Sequence, residues 1–349
     1  VLKFNNVKNF SNNNSLQKDL IELSVFLGNN LDWVQGAGGN TSVKDNGILW
    51  VKASGCWLSD AHCKDIFTPL KRQLVLDKID QEIEDLSSAQ LFQEKNQILR
   101  PSIETTLHAL MPHKFVAHVH SVNVISYAVL NHSKKILNNK LKGINWMWVP
   151  YVRPGLPLTI KLNQMNMSNF DVVIFANHGV VIGGESKDEV LDIFNNVEAR
   201  LRRPVRDNSL ETNKIKLANI VNSSLYKLPK YDLAHSLAMD NLSLEVISKN
   251  ALYPDHVIFL GPGPIPIMSY EQFMDKLFQD SLDFNHKVIV IKDIGVVVNQ
   301  NLSLNAEEML HCLANVTLRL EPGDELKHLT QSQESELLGW DAEKYRKLI

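Results

Sequence analysis

Phe115-Val116-Ala117-His118-Val119-His120 is a short apolar run carrying two histidines one residue apart. Its β-branched and aromatic content reads as a strand. Alternate side chains of a strand share a face, so His118 and His120 point to one side. A second apolar run, Val172 to Ala176, ends at Asn177-His178-Gly179 and can bring a third imidazole to the pair. Three nitrogen donors with an open position describe a catalytic transition-metal site, usually zinc, better than a closed structural one. A lone His-x-His pair in a chain with twelve histidines more often reflects packing or surface chemistry. The company of His178 and of Glu104 upstream gives this one weight.

Around that strand the chain reads as alternating α and β elements. Leu16, Leu20, Ile21, Leu23, Phe26 and Leu27 fall at helical spacing and predict an opening amphipathic helix. The Gly36 to Gly39 cluster ends it, and Ile48 to Val51 is a strand leaving that loop. Residues 60–98 are mixed and charged, with helices expected near 71–95. Pro101 and Ser102 predict a helix over 102–111 with Ser102 as its N-cap. A helix over 122–130 follows the histidine strand, Tyr151 to Pro157 is a turn, strand 171–176 leads through His178 to strand 180–182, and a helix runs from Lys187 to about Arg202. Arg203 to Asn213 has the polar composition of a linker.

Composition excludes several classes. With 44% hydrophobic residues, 21% charged and a net charge of −3, the chain lacks the basic stripe of a nucleic-acid binder. No stretch approaches the apolar length of a membrane span. Val1 to Ser15 is Asn-rich without a signal-peptide core, and Cys56, Cys63 and Cys312 form no C-x-x-C pair, so a reduced, cytoplasmic protein is expected. No G-x-G-x-x-G follows a predicted strand. The two prolines of Gly261-Pro262-Gly263-Pro264 remove amide donors and make a rigid turn rather than a phosphate loop.

Gly38-Gly39-Asn40-Thr41-Ser42, Ser54-Gly55, Pro101-Ser102-Ile103-Glu104, His118-Val119-His120-Ser121 and Asn177-His178-Gly179, in that order, resemble the class II aldolase/adducin family over roughly residues 15–205. The wording from Ser102 to Pro112 is most similar to the aldolase part of bifunctional rhamnulose-1-phosphate aldolase/alcohol dehydrogenases, whose dehydrogenase half is not expected here. The resemblance implies an α/β fold with a central mixed or antiparallel sheet flanked by helices. It implies a zinc ion, or another divalent transition metal, on His118, His120 and His178, and Glu104 as the acid/base. Glu104 alone reads better as a carboxylate favoured at a helix start, and the matched motif reverses that reading.

The implied reaction is cleavage of a ketose 1-phosphate, of the rhamnulose- or fuculose-phosphate type, to dihydroxyacetone phosphate and an aldehyde. Sugar-phosphate 4-epimerisation or decarboxylation on the same scaffold, or a non-catalytic adducin-like binding role, are the alternatives. Gly39, Asn40, Thr41, Ser54, Gly55 and Ser102 are the expected phosphate and substrate contacts, through close backbone approach and a helix start. The shorter fuculose-type enzymes carry two serines before the glutamate, whereas here the second position is Ile103. His108 lies four residues after Glu104, on the same helical face, as a supporting group. The expected partners are a small sugar phosphate and further copies of the chain, in a homo-oligomer and possibly a tetramer, with no nucleic acid and no membrane.

Residues 1–221 are expected to form the catalytic domain and 222–349 a metal-free, degenerate copy. Lys287 to Val298 with the helix Ala306 to Leu320 parallels Asp171 to Leu201, placing Ile294 where His178 stands. Tyr253 to Leu260 is expected to parallel Met111 to His118 as a strand, with Leu260 in the ligand position.

Overall fold

The computed structural model describes residues 15–91, 99–207, 212–279, 281–283 and 285–339. The Asn-rich leader up to Asn14 and parts of the expected 71–95 helices and the 203–213 linker lie outside the described residues. The strands are β1 (Asn40–Asp45), β2 (Ile48–Lys52), β3 (Phe67–Lys71), β4 (Phe115–Val119), β5 (Trp146–Val149), β6 (Val172–Phe175), β7 (Val180–Gly184), β8 (Tyr226–Lys227), β9 (Ile267–Met268), β10 (Val288–Ile291) and β11 (Gly295–Asn299).

The chain is α/β. A seven-stranded sheet runs β3-β2-β1-β4-β7-β6-β5, and a four-stranded sheet runs β8-β11-β10-β9. The large sheet is antiparallel except where β5 lies parallel to β6, and the small one except where β9 lies parallel to β10. Every residue of β4 is buried, as its apolar run requires of a strand with neighbours on both edges. Pro69 sits in β3, the edge strand, where a missing amide hydrogen disturbs no further pairing.

Helices cover the large sheet through apolar faces. In the helix Lys187–Leu201 the buried residues are Val190, Phe194, Val197 and Leu201, one stripe at 3–4 residue spacing. Ser186 caps it by accepting from the Glu189 amide, with Asp188 and Glu189 in the first turn. The helix Leu304–Thr317 is buried over most of its surface. Its Leu310 and Leu313 belong to one apolar cluster with Val119 and Ile174 of the large sheet and Val290 and Val296 of the small one. The two sheets therefore share a core.

The expected parallel between the two halves holds for one hairpin. β6 and β7 pair Val172 with Ile182 and Ile174 with Val180; β10 and β11 pair Val288 with Val298 and Val290 with Val296, the same register. Asn177 and Asp293 both adopt left-handed backbone, at φ 55° and 60°, and each is followed two residues later by glycine. Ile294 thus stands where His178 stands.

The second expected parallel fails. Tyr253 to Leu260 is not a strand: Pro254 opens a buried helical stretch that ends in the π-helical turn His256–Leu260. An apolar run without alternation fits a buried helix as well as a buried strand, and a proline at the first helical position favours the helix. The place beside β11 that β4 occupies beside β7 belongs to β8, so Leu260 is in no ligand position.

The helix expected from Ser102 begins three residues later, at Thr105–Leu110, because the Ser102 hydroxyl and carbonyl are used in a turn, accepting from the Glu104 and Thr105 amides. The 151–157 turn is followed at once by an unanticipated helix, Leu156–Gln164, with Pro157 in its first turn.

Candidate metal centre

β4 delivers His118 from inside the sheet and His120 from just beyond its end, while the β6–β7 turn delivers His178. The turn is forced into place by Gly179: a Cβ there would lie 2.4 Å from the Val119 carbonyl oxygen and 3.1 Å from His120 Cδ2. Asn177, in left-handed backbone, anchors the turn by donating its side-chain amide to the Leu252 carbonyl at 2.8 Å. The three imidazoles are buried, and their ligand nitrogens lie within 4.8 Å of one another. This three-histidine cluster fits a divalent metal site.

Hydrogen bonding assigns the tautomers of two rings. His118 Nδ1 lies 3.1 Å from the Val180 carbonyl oxygen and His120 Nδ1 lies 3.0 Å from Asp255 Oδ2. Both partners only accept, so each Nδ1 carries the hydrogen and each Nε2 is a bare lone pair. These two Nε2 atoms are 3.0 Å apart. With no hydrogen between them the contact is repulsive. It is close to the roughly 3.3 Å that two imidazole nitrogens span on one tetrahedral ion at about 2.0–2.1 Å.

Glu104 lies against the cluster. Its Oε2 accepts from Asn40 Nδ2 at 2.8 Å and is 3.4 Å from His118 Nε2, while Oε1 is 3.8 Å from His178 Nε2. Oε1 has no hydrogen-bond partner among the described residues. Burial raises the Glu104 pKa, but the imidazoles of His118, His178 and His120 and the Asn40 amide outweigh it and bring it down to about 2. Burial pushes His118 down to about 4 and lowers His120, against the opposing carboxylates of Glu104 and Asp255.

His108 does not meet Glu104 directly. It bonds Ser42 Oγ at 2.7 Å through Nδ1 and Asn40 Oδ1 through Nε2, so it holds the amide that holds the glutamate. Burial drives its pKa well below the ordinary histidine value, which keeps the ring neutral in this relay.

A cleft opens beside Glu104, His120 and His178. Gly39, Asn40, Ser54, Gly55 and Ser102 line it, as does Ile103. Thr41 does not. Strand alternation turns it to the opposite face of β1 from Asn40, where its hydroxyl shares a 2.6 Å hydrogen bond with Ser24. Ser102 lines the cleft, and its hydroxyl oxygen accepts from Asn40 Nδ2 and from the Glu104 amide, each at 3.3 Å.

The family model of the class II aldolase and adducin N-terminal domain matches residues 18–203, more than half of the chain and every residue of the centre except Asp255. The chain belongs to the class II aldolase/adducin family. Over 188 residues it is 31% identical to an uncharacterized oxidoreductase, YuxG, of Bacillus subtilis (strain 168), a match covering 49% of this chain and 27% of that protein. The chain therefore spans about a quarter of that relative's length. Among solved structures it is similar to the N-terminal class II aldolase domain of a Thermoplasma acidophilum protein, at 24% identity and TM-score 0.47, over 57% of this chain and 96% of that one. It is also similar to an L-fuculose-1-phosphate aldolase from Thermus thermophilus, at 12% identity and TM-score 0.34, over 53% of this chain and 90% of that one.

Two cleft residues of this family member were not singled out from sequence. Lys52, at the end of β2, is 2% exposed and donates from Nζ to the Ala37 and Cys56 carbonyls at 2.7 Å each and to Gly38 at 3.4 Å. It ties the loop before Gly39 to the loop carrying Ser54 and Gly55 and sets a positive charge beside the cleft. A lysine closing an otherwise apolar strand was the available signal. Asp255, from the helical stretch outside the family match, had no local signal at all.

Proposed function

We propose that the chain is a metal-dependent aldolase that cleaves a ketose 1-phosphate, of the rhamnulose- or fuculose-phosphate type, to dihydroxyacetone phosphate and an aldehyde. The observation that carries this reading is a buried carboxylate, Glu104, set against three converging imidazole nitrogens beside a cleft with a buried lysine. The donor set fits a divalent ion, since two bare Nε2 lone pairs at 3.0 Å call for a cation between them. Three neutral imidazoles leave the ion's charge intact, which suits zinc or another divalent transition metal. What such an ion supplies when bound is Lewis-acid stabilisation of the negative charge left on the substrate by carbon–carbon cleavage.

The chain's own residues supply the rest. As the C3–C4 bond breaks, the C4 hydroxyl gives its proton to solvent and becomes an aldehyde, and C3 of the three-carbon fragment gains a proton that Glu104 has first taken up from solvent. Glu104 delivers the proton to C3 in cleavage and removes it in condensation; Asn40 fixes the carboxylate for that task. The Lys52 charge and the amides around Gly39, Ser54 and Gly55 seat the phosphate. Ile103 offers apolar surface there instead of another hydroxyl, so the seat rests more on Lys52.

Family resemblance supports a homo-oligomer, with a tetramer as the proposed form, and a cytoplasmic setting is proposed from the cysteine spacing. Among the described residues no helix is long and apolar enough to cross a membrane, and Cys56, Cys63 and Cys312 are free thiols. Sedimentation showing a monomer at micromolar concentration would count against the oligomer.

The deciding experiment incubates zinc-loaded protein with a panel of ketose 1-phosphates and follows dihydroxyacetone phosphate by a coupled reduction. Release of the triose phosphate is expected. Formation of a C4 epimer without it would move the assignment to an epimerase, and no turnover of any substrate would favour a binding protein.

A further inference from the structure

The histidine cluster is completed from outside the family-matching residues. Asp255 belongs to the stretch opened by Pro254, far beyond residue 203, yet its carboxylate meets His120 Nδ1 at 3.0 Å with both side chains nearly sealed from solvent. Gly38 closes over this pair, since a Cβ there would come within 3.3 Å of His120 Nδ1 and 3.6 Å of Asp255 Oδ2. The residues just before that stretch grip the second arm of the centre, because the Leu252 carbonyl accepts from Asn177, the residue before His178. Their own position is fixed from behind: the Ala251 amide donates to Glu334 at 2.8 Å and Tyr253 Oη contacts Cys312 Sγ at 3.6 Å. The helix that carries Cys312 also holds the loop before Gly39, through Glu308 to the Gly36 amide and Asn305 to the Ala37 amide at 2.9 Å.

We infer that Asp255 is a positioning residue for the cation site: it fixes His120 in the Nδ1–H tautomer and aims Nε2 at the point where His118 and His178 converge. The inference rests on the metal-dependent reading proposed above. A ring nitrogen that donates to a carboxylate leaves the other nitrogen more basic and the ring oriented, and losing such a partner typically weakens metal binding about 10–100-fold. His118 takes its tautomer from a backbone carbonyl, whereas His120 takes it from a side chain that mutation can remove. The C-terminal segment is then part of the centre and not only its cover, contrary to a purely structural copy.

The test uses the full chain, stripped of metal, and zinc competed against a chromophoric chelator. Asp255→Ala should weaken zinc binding about 10–100-fold. Asp255→Asn should fall between it and the wild type, since its carbonyl oxygen still accepts from Nδ1–H but carries no charge. In the metal-free protein, nitrogen-15 NMR should show His120 protonated at Nδ1 in the wild type and shifting toward Nε2 in Asp255→Ala, with His118 unchanged. Thermal melts of the metal-free variants check folding, and if Asp255→Ala fails to fold, Asp255→Asn decides. Variants that bind zinc as tightly as the wild type would overturn the positioning role alone. A wild-type protein that binds no zinc would overturn the proposed function and this inference with it.

Discussion

Replacing Glu104 by Gln removes a charge and a proton carrier while keeping the shape of the side chain. The glutamine carbonyl can still accept from Asn40 Nδ2, as Oε2 does at 2.8 Å, and its amide then falls near His178 Nε2, where Oε1 now lies at 3.8 Å. No packing is lost at a residue that is 5% exposed, and no acceptor is orphaned, because Oε1 already lacks a partner among the described residues. On the proposed reading, what disappears is the group that moves the proton at C3. A positioned acid/base is worth about 10²–10⁴-fold in rate. At about 1.4 kcal/mol per decade this raises the barrier by about 3–6 kcal/mol.

The assay is triose phosphate release at saturating zinc, with elemental analysis and a thermal melt on the same sample. The expected result is a slow enzyme with full metal occupancy and a melting temperature near the wild type. The competing account makes Glu104 a carboxylate favoured at the start of helix Thr105–Leu110, worth about 0.3–1 kcal/mol of stability and nothing in rate. A lowered melting temperature with a near-normal rate would therefore refute the acid/base role.

Gly179→Ala forces a methyl group to within 2.4 Å of the Val119 carbonyl and should cost on the order of 1–3 kcal/mol in urea unfolding, with weaker zinc binding as His178 is displaced. A variant as stable and as zinc-competent as the wild type would show that the turn is not set by that contact. Thr41→Val breaks the hydroxyl pair with Ser24 and should cost about 1 kcal/mol of stability while leaving KM for a phosphorylated substrate unchanged; a raised KM would return Thr41 to the cleft. With chelator present, stability should fall on acidification. His118, at about 4 when folded against 6.5 as its ordinary value, costs nothing above pH 6.5 and increasingly destabilises the folded chain as pH falls toward 4. Glu104, at about 2 against 4.5, stabilises fully above pH 4.5 and loses that contribution toward pH 2. Both act in one direction, so a melting temperature that holds or rises between pH 7 and 4 would contradict them.

The elements legible in the sequence are those whose burial writes a pattern. β4, β6 and β7 are uninterrupted apolar runs, and the convergence of His118, His120 and His178 follows from strand alternation and a tight turn ended by glycine. β1 and β3 were hidden because their buried positions include Asn40, Thr41, Ser42, Thr68 and Pro69, residues whose burial is compensated by hydrogen bonds or by an edge position rather than by hydrophobicity. Leu156–Gln164 was hidden because prolines and glycine before a helix look like a turn that ends there. The grip of Asn40 on Glu104 and the arrival of Asp255 depend on contacts between residues far apart in the chain. Nothing in the local sequence around any of them records such a contact.

The paired hairpins show what separates the turn that carries a candidate metal ligand from one that carries none. Backbone geometry is common to both: the same register, a left-handed residue at Asn177 or Asp293, and a glycine at Gly179 or Gly295 that must stay small. The position between them is free to be histidine or isoleucine, because the turn is held by its neighbours and not by its apex. In the first hairpin the neighbour is β4, five residues long, with His118 inside it and His120 just beyond its end. In the second it is β8, two residues long, and the close approach to Gly295 is made instead by His235, whose Nδ1 accepts from the Val296 amide at 2.9 Å. That ring lies beside the turn as a backbone partner, with its pKa lowered by burial so that the accepting nitrogen stays bare. An imidazole at position 294 would thus meet a histidine already committed to the backbone and no His-x-His strand. Chemistry at these turns is decided by the length and sequence of the adjoining strand, and one substitution at the apex cannot supply it.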